Sequence, residues 1–198
     1  MAEILNGKEV AKKVREELKL EVDRLKLEGI KPKLDVIMVG NDSASAVYVK
    51  NKSIACQKAG IEFEEFLLPE ETQEEELLEL IEKLNKDESV HGILLQSPVP
   101  KHIDIDKAFE LISPDKDVDG FNAVNVGKLT IGKDCFVSCT PYGVMRLLEE
   151  YKINVEGKRA VVIRKKQYCW KTNVTMFVIK KCYSYNLSFK NSKFSRSS

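Results

Sequence analysis

Short apolar segments alternate with helical segments along residues 1–163, and this alternation restricts the possible folds more than any other feature. Four segments are short, apolar and mostly bounded by Gly or Pro: 34–40, 61–68, 90–96 and 157–163. Such segments are typical of strands buried within a sheet. Five segments have helical periodicity or a helix-start signal: 8–28, 43–59, 72–86, 104–112 and 141–151. Strands that alternate with helices predict βαβ units, and therefore an α/β fold with a mostly parallel sheet.

Composition excludes several classes of protein. The 198 residues are 43% hydrophobic and 32% charged, which is typical of a globular chain and not of a disordered or fibrous one. The apolar runs are far shorter than the ~18 residues of a membrane-spanning helix, and the N-terminus lacks the apolar core of a secretory signal. The five cysteines are odd in number and have no histidine at zinc-ligand spacing, which predicts neither disulfides nor a metal site. We therefore expect a cytoplasmic protein without a membrane partner.

Residues 164–198 differ in composition from the rest of the chain. They contain nine Lys or Arg and no Asp, Glu, Gly or Pro, whereas residues 1–163 hold 23 basic and all 31 acidic residues. A basic segment of this kind can be an arm that binds nucleic acid or a membrane. The aromatic and β-branched residues of this segment are not typical of such arms, so composition alone leaves its role open.

Three loops are expected to lie at one edge of the sheet, because ligands of open parallel sheets bind beyond the carboxyl ends of the strands. They are residues 40–52, 96–100 and 117–121. In the first, Tyr48 and Lys52 are four residues apart and share one face of the predicted helix. A lysine held beside a phenol can transfer protons in acid–base catalysis. The alternative is a surface lysine whose aliphatic stem packs on the ring.

The second loop supplies an amide and a stiff turn. Gln96 ends an apolar strand, where its amide either finds partners or faces a cleft. Pro98 belongs to a proline-containing turn that can form one wall of a ligand site. The alternative for Gln96 is a strand-end amide whose hydrogen bonds are satisfied within the protein.

The third loop supplies two carboxylates. Asp117 and Asp119 lie two residues apart, just before Gly120. One of them can accept hydrogen bonds from an amino-heterocycle, although Asp before Gly is also ordinary turn chemistry. His91 and His102 have no partner at a catalytic or metal-binding spacing, so we assign them no role.

Taken together, these loops resemble a known enzyme family, the bifunctional methylenetetrahydrofolate dehydrogenase / methenyltetrahydrofolate cyclohydrolases. The resemblance runs in order over residues 1–163 and depends on four segments together. They are VGNDSASAVYVKNKSIACQKAGI (39–61), GILLQSPVP (92–100), PDKDVDGFNAVNVGKL (114–129) and CTPYGVMRLLEEYKINVEGKRAVVI (139–163).

The resemblance implies a folate-binding α/β domain followed by a Rossmann-type NADP domain, with catalysis between them. It implies that Lys52 is the acid/base of the cyclohydrolase step and that Tyr48 lines the folate site as its partner. It further implies that Gln96 orients Lys52, that Pro98 contributes to the substrate site and that Asp119 anchors the pterin ring. The implied reaction is hydride transfer from 5,10-methylenetetrahydrofolate to NADP, followed by addition of water to the methenyl cation.

The resemblance stops after Ile163, the last residue of the fourth predicted strand. There the family has a turn of the form G-x-S-x-x-V-G-x-P, whose glycines let backbone N–H groups at a helix N-terminus approach a phosphate. Residues 164–170 contain no glycine, so we assign no residue of this chain to cofactor binding.

The sequence after Ile163 is consistent with a shift of reading frame. If the coding DNA of Lys166–Thr172 is read one base later, it can encode S-N-I-V-G-K-P, and the glycine is forced because Trp170 has a single codon. We therefore interpret residues 164–198 as the product of a frameshift that truncates the family sequence, in preference to a nucleic-acid arm.

Several expectations follow for the chain as a whole. Residues 1–150 are expected to form the folate-binding catalytic domain, residues 151–163 the first strand of the NADP domain, and residues 164–198 a non-native, disordered basic tail. The family cofactor NADP is not expected to bind, so the dehydrogenase step is expected to be lost. The family homodimer is expected to be weakened, and no specific nucleic acid is expected. The alternatives are a non-catalytic folate-binding remnant and another two-domain dehydrogenase, such as a shikimate-dehydrogenase-like protein.

Overall fold

The computed structural model describes residues 4–164 and 183–188, with side chains described for residues 4–161. The helices of this part are α1 (Gly7–Leu27), α2 (Ser43–Ala59), α3 (Glu74–Lys86), α4 (Ile105–Leu111), α5 (Ala123–Thr130) and α6 (Cys139–Glu150). The strands are β1 (Lys33–Val39), β2 (Glu62–Leu68), β3 (Gly92–Leu95), β4 (Arg159–Arg164) and β5 (Tyr183–Ser188). Every strand and helix predicted from the sequence is present, with bounds shifted by a few residues at most.

The first three strands form a parallel sheet in the order β2-β1-β3, which confirms the predicted α/β class. Side chains along a strand alternate between the two faces of the sheet. On one face, Ile37 belongs to a buried cluster that includes Leu77 of α3 and Phe109 of α4. On the other face, Val36 packs in a cluster with Val49 of α2. Helices thus cover both faces of the sheet and leave the carboxyl ends of its strands for a site.

Helix α5 was not predicted from the sequence. Its residues AVNVGKLT include a glycine and two valines, which are weaker helix formers than Ala or Leu, and they show no clear apolar period. The available signal was Asn122, whose side-chain oxygen caps the helix by accepting a hydrogen bond from the Val124 N–H at 2.8 Å.

Strand β4 does not end where the sequence predicted. The apolar run 157–163 predicted a strand that ends at Ile163, whereas β4 spans Arg159–Arg164. Ile163 lies opposite Leu187 in the register, and Arg164 lies opposite Ser188. The predicted end is one residue short because strand pairing is made by backbone hydrogen bonds, which can include a charged residue that an apolar pattern leaves out. The segment just after Arg164, where the family turn is missing from the sequence, lies outside the described residues.

Strand β5 pairs in parallel with β4, beginning with Tyr183 opposite Arg159. The expectation of a disordered tail over 164–198 therefore needs correction at residues 183–188. Aromatic residues favour strands, and Tyr183 and Tyr185 both lie in β5. The rest of that expectation concerns residues 165–182 and 189–198, which lie outside the described part.

Helices α1 and α6 hold the two ends of the described domain together. The Tyr151 hydroxyl accepts a hydrogen bond from the Asn6 N–H at 2.8 Å. An ion pair joins Lys13 to Glu150 at 2.5 Å, and a second joins Arg146 to Glu17 at 3.2 Å. Among the helices described, none is long and apolar enough to cross a membrane.

Candidate active site

Helix α2 carries two of the predicted site residues, Tyr48 and Lys52. The buried residues along one side of the helix, its buried stripe, fix the direction of their side chains. Ser45, Val49 and Cys56 of this stripe are buried against the sheet, and Lys52 lies between them at helical spacing, half-buried. The helix begins directly after the turn that follows β1, where the Asp42 carboxylate accepts a hydrogen bond from the Ser45 N–H at 2.7 Å. The local sequence therefore directs the Lys52 side chain inward, toward the end of β3.

Lys52 and Gln96 meet directly. The Lys52 Nζ donates a hydrogen bond to the Gln96 Oε1 at 2.8 Å. The other end of the same amide, Nε2, donates to the Ser97 carbonyl at 2.8 Å, and the Gln96 N–H donates to the Ile37 carbonyl at 2.8 Å. Because the amide is held at both ends, its oxygen is presented to Lys52 in one orientation. The contacts agree with the alternative for Gln96, a strand-end amide whose hydrogen bonds are satisfied within the protein, but one of its partners is the half-buried Lys52. The catalytic roles of both residues stay predictions.

Asp119 completes the cluster. Burial raises the pKa of its carboxyl, the nearby Lys52 ammonium lowers it, and the negative charge of Asp117 raises it again. Gly120, which follows it, has a φ of +64°, and a Cβ there would lie 2.7 Å from the Phe136 carbonyl oxygen. Glycine is required at this turn for both reasons, so the backbone that carries Asp119 has little freedom to move.

Cys139 lies close enough to Asp119 and Lys52 for their charges to act on its thiol, although it is exposed and no sequence pattern placed it there. It is the first residue of α6. Burial raises the pKa of its thiol, as does the negative charge of Asp119, whereas Lys52 lowers it. The only signal for this placement was its position in the segment 139–163, one of the four that carry the family resemblance.

Tyr48 and Pro98 are placed differently from the three central residues. Tyr48 is 63% exposed, and within residues 4–161 no hydrogen bond joins its hydroxyl to Lys52. The bond between Ser97 and Pro98 is cis. Pro98 lines a cavity of about 330 Å³ together with Gly40, Glu70 and Pro100, among others, and neither Lys52 nor Asp119 is part of its lining. The roles of Tyr48 and Pro98 as substrate contacts stay predictions.

The histidines do not join the cluster. His102 Nε2 lies 2.8 Å from the Thr72 carbonyl, a contact that fixes the loop before α4. In the part of the chain that the structure describes, no group of three His, Cys, Asp or Glu side chains could hold a metal ion.

Comparison with known proteins identifies the family of this chain. The profile of the family described as "Tetrahydrofolate dehydrogenase/cyclohydrolase, catalytic domain" matches residues 5–119, more than half of the chain. The chain belongs to the tetrahydrofolate dehydrogenase/cyclohydrolase family. The resemblance stated from the four sequence segments is thereby confirmed, and the shikimate-dehydrogenase-like alternative is excluded.

Curated relatives of this family match most of the chain. It is 56% identical over 162 residues to the bifunctional protein FolD of Acetivibrio thermocellus, a match that covers 82% of the chain and 57% of that relative. It is 51% identical over 179 residues to the FolD of Ruminiclostridium cellulolyticum, covering 90% of the chain and 63% of that relative. The chain therefore spans less than two thirds of the length of these relatives.

Solved structures of the family have the same fold. The bifunctional FolD of Campylobacter jejuni superposes with a TM-score of 0.92 at 43% identity, over 96% of the chain and 67% of that protein. The FolD of Trypanosoma brucei, whose structure is described as complexed with NADP cofactor and inhibitor, superposes with a TM-score of 0.89 at 32% identity. That match covers 94% of the chain and 64% of the trypanosomal protein.

Proposed function

We propose that this chain binds one-carbon derivatives of tetrahydrofolate and hydrolyses 5,10-methenyltetrahydrofolate to 10-formyltetrahydrofolate. The observation that carries the proposal is the 2.8 Å hydrogen bond from Lys52 to Gln96, with the Asp119 carboxyl within electrostatic reach of the same ammonium. A proton-transfer group on helix α2, a group after β3 that orients it and a recognition carboxyl on a loop are thus brought together from three separate parts of the chain. Such convergence of titratable groups is typical of catalytic sites.

The geometry suggests a role for each group. Pterin rings carry neighbouring N–H donors, and a carboxylate such as that of Asp119 can accept two of them side by side. Water adds to the methenyl carbon and loses a proton, which Lys52 in its neutral form can accept. As the formyl C=O forms, the hydroxyl of the tetrahedral carbon loses its proton to solvent and the C–N5 bond breaks, while N5 takes back the proton held by Lys52. The products are 10-formyltetrahydrofolate and one released proton. The Gln96 oxygen keeps Lys52 directed at the reacting carbon throughout.

Binding of a stable reduced folate tests the proposal directly. We expect 5-formyltetrahydrofolate to bind the full chain with a dissociation constant between about 10 μM and 1 mM by isothermal titration calorimetry. A matched titration with Asp119→Ala should show binding at least about tenfold weaker, because it removes the pterin acceptor. Absence of binding by the unaltered chain up to solubility would contradict the proposal.

The dehydrogenase step of the family is proposed to be lost in this chain. No glycine follows Gly157 in the sequence, so the residues after β4 offer no position where backbone N–H groups can approach a phosphate without a Cβ in the way. We expect NADP to bind more weakly than about 1 mM by the same calorimetry. The full-length trypanosomal FolD is the positive control, and a micromolar dissociation constant for this chain would overturn the expectation.

A non-catalytic folate-binding protein is the second candidate, because the chain spans only part of its relatives. It predicts folate binding without any hydrolysis above the rate in protein-free buffer. A weakened homodimer and a cytoplasmic location accompany the proposal as predictions.

A further inference from the structure

The loop that carries Asp119 is attached to the rest of the domain by an unusual lysine. The Lys116 Nζ donates to three backbone carbonyls at the C-terminal end of α3: Leu84 at 2.9 Å, Asn85 at 2.9 Å and Asp87 at 2.7 Å. Carbonyls at a helix C-terminus lack partners within the helix and carry partial negative charge. The ammonium therefore supplies hydrogen-bond donors to the carbonyls at the end of α3, and the same contacts fix the start of the loop.

The backbone of Lys116 and Asp117 also attaches the loop to the sheet. The Ile93 N–H of β3 donates to the Lys116 carbonyl at 2.8 Å, and Ile93 and Asp117 form a parallel bridge. The loop thus adds a single strand-like position beside β3, the strand whose following residue is Gln96. Asp119 and Gln96 are consequently held by the same edge of the same sheet.

A buried carboxylate then fixes the other side of the loop. Asp117 is 2% exposed, and its Oδ2 accepts from the Asn122 N–H at 2.8 Å and from the Asn125 Nδ2 at 3.0 Å. Asn125 is 1% exposed, and its amide also donates to the Pro114 carbonyl at 2.9 Å. Residues 114 to 125 are therefore closed into a ring of hydrogen bonds, and Asp119 lies within it.

We propose that Asp117 and Asn125 are positioning residues that hold the Asp119 carboxyl in register with Lys52 and Gln96. Neither side chain belongs to the Lys52–Gln96–Asp119 cluster itself, and both act through the loop between them. The inference rests on the proposed function, since it takes Asp119 as the group that binds the pterin. Hydrogen bonds to a buried carboxylate are among the stronger ones in proteins, so the ring keeps Asp119 in one place before any ligand arrives.

Two variants and one matched control test the proposal. Asn125→Ala removes the side chain that joins Asp117 to Pro114, and Asp117→Asn removes the buried charge. Asn85→Ala is the control, because this half-buried amide also joins α3 to the polypeptide near the loop, donating to the Leu111 carbonyl at 2.8 Å and accepting from the Ser113 N–H at 2.9 Å. Asn85 supports the same region of the fold but takes no part in the ring that contains Asp119.

Two readouts separate positioning from a general loss of stability. The first is 5-formyltetrahydrofolate affinity at a temperature where every variant is folded, and we expect Asn125→Ala to weaken it about 10- to 100-fold, as expected for misplacement of a contacting group. Asn85→Ala should change it less than about twofold, since the ring that contains Asp119 is left intact. The second is the ¹³C NMR titration of the Asp119 carboxyl in the full chain without ligand. Its midpoint should change in Asn125→Ala, which keeps the charge of Asp117 but breaks the hydrogen bond that holds it, and should stay unchanged in Asn85→Ala. Asp117→Asn, which alters the same ring, should weaken folate affinity to a similar extent as Asn125→Ala.

The outcomes distinguish this inference from the proposed function. If the unaltered chain binds no folate, the proposed function fails, and the Asp119 titration alone decides the positioning role. If Asn125→Ala and Asn85→Ala weaken folate binding equally, or if the Asp119 titration is the same in Asn125→Ala and the unaltered chain, the positioning role is wrong.

Discussion

Replacing Lys52 with methionine is expected to lower the rate of 5,10-methenyltetrahydrofolate hydrolysis by about 10²- to 10⁴-fold, the usual contribution of a positioned acid–base group. Methionine keeps much of the length of the side chain but has no proton to give or take. It also leaves the Gln96 Oε1 without the donor that it has in the structure. The rate is measured as the loss of the methenyl absorbance, after subtraction of the decay in protein-free buffer.

Lys50→Met is the matched control for this prediction. Lys50 lies on the same helix, two residues before Lys52, and is exposed. It has the same charge and the same helix propensity, and its removal should change the rate less than about twofold, since an exposed lysine of this kind contributes little. Equal losses in the two variants, or an unchanged rate in Lys52→Met, would show that Lys52 does not transfer the proton.

Replacing Asp35 with valine is expected to raise the free energy of unfolding at pH 7.5 by about 1–3 kcal/mol, the range for removing an unsatisfied buried polar group. Asp35 lies within β1 and is 0% exposed, and neither carboxylate oxygen has a hydrogen-bond partner among the side chains and backbone that the structure describes. The Lys33 ammonium is 3.4 Å from its Oδ1 but lies closer to Glu64, at 2.5 Å. Valine is similar in size and suits a buried strand.

The effect should depend on pH in a defined direction. Burial raises the pKa of Asp35 above its ordinary value of 3.8; Lys33 lowers it, while the charges of Glu64 and Asp87 raise it further. Well below pH 3.8 the carboxyl is neutral in both the folded and the unfolded chain, so its burial does not destabilise the fold through a buried charge. As the pH rises from there through the folded-state pKa, the unfolded chain ionises more readily, and stability falls. The increase in the free energy of unfolding caused by Asp35→Val should therefore grow with pH over this window and then level off.

Urea unfolding between pH 4 and pH 8 measures this difference. Asp115→Asn is the control, because Asp115 is exposed and its charge is lost without any change in burial. The control should follow the unaltered chain at every pH. A stability difference for Asp35→Val that is constant with pH, or that shrinks as the pH rises, would contradict the raised pKa.

The functional residues differ in how well the sequence located them. Lys52 could be placed on a helix and Gln96 at a strand end from periodicity alone, and the family resemblance then assigned both a role. Their direct hydrogen bond was implied by that resemblance and not by spacing, since 44 residues separate them. Cys139 was missed because its proximity to Asp119 depends on how α6 packs, for which a local pattern carries no information.

The sequence by itself determined the α/β class, the bounds of most elements and the kinds of chemistry available at the strand ends. It could do so because apolar periodicity and the turn preferences of Gly and Pro act over a few neighbouring residues. Only the tertiary structure decided that Asp117 and Asn125 share a buried hydrogen bond, that the Asp35 carboxylate accepts none within the described part of the chain, and that β5 pairs with β4. These outcomes depend on contacts between distant parts of the chain and on removal of charged groups from water, and both arise only when the elements pack.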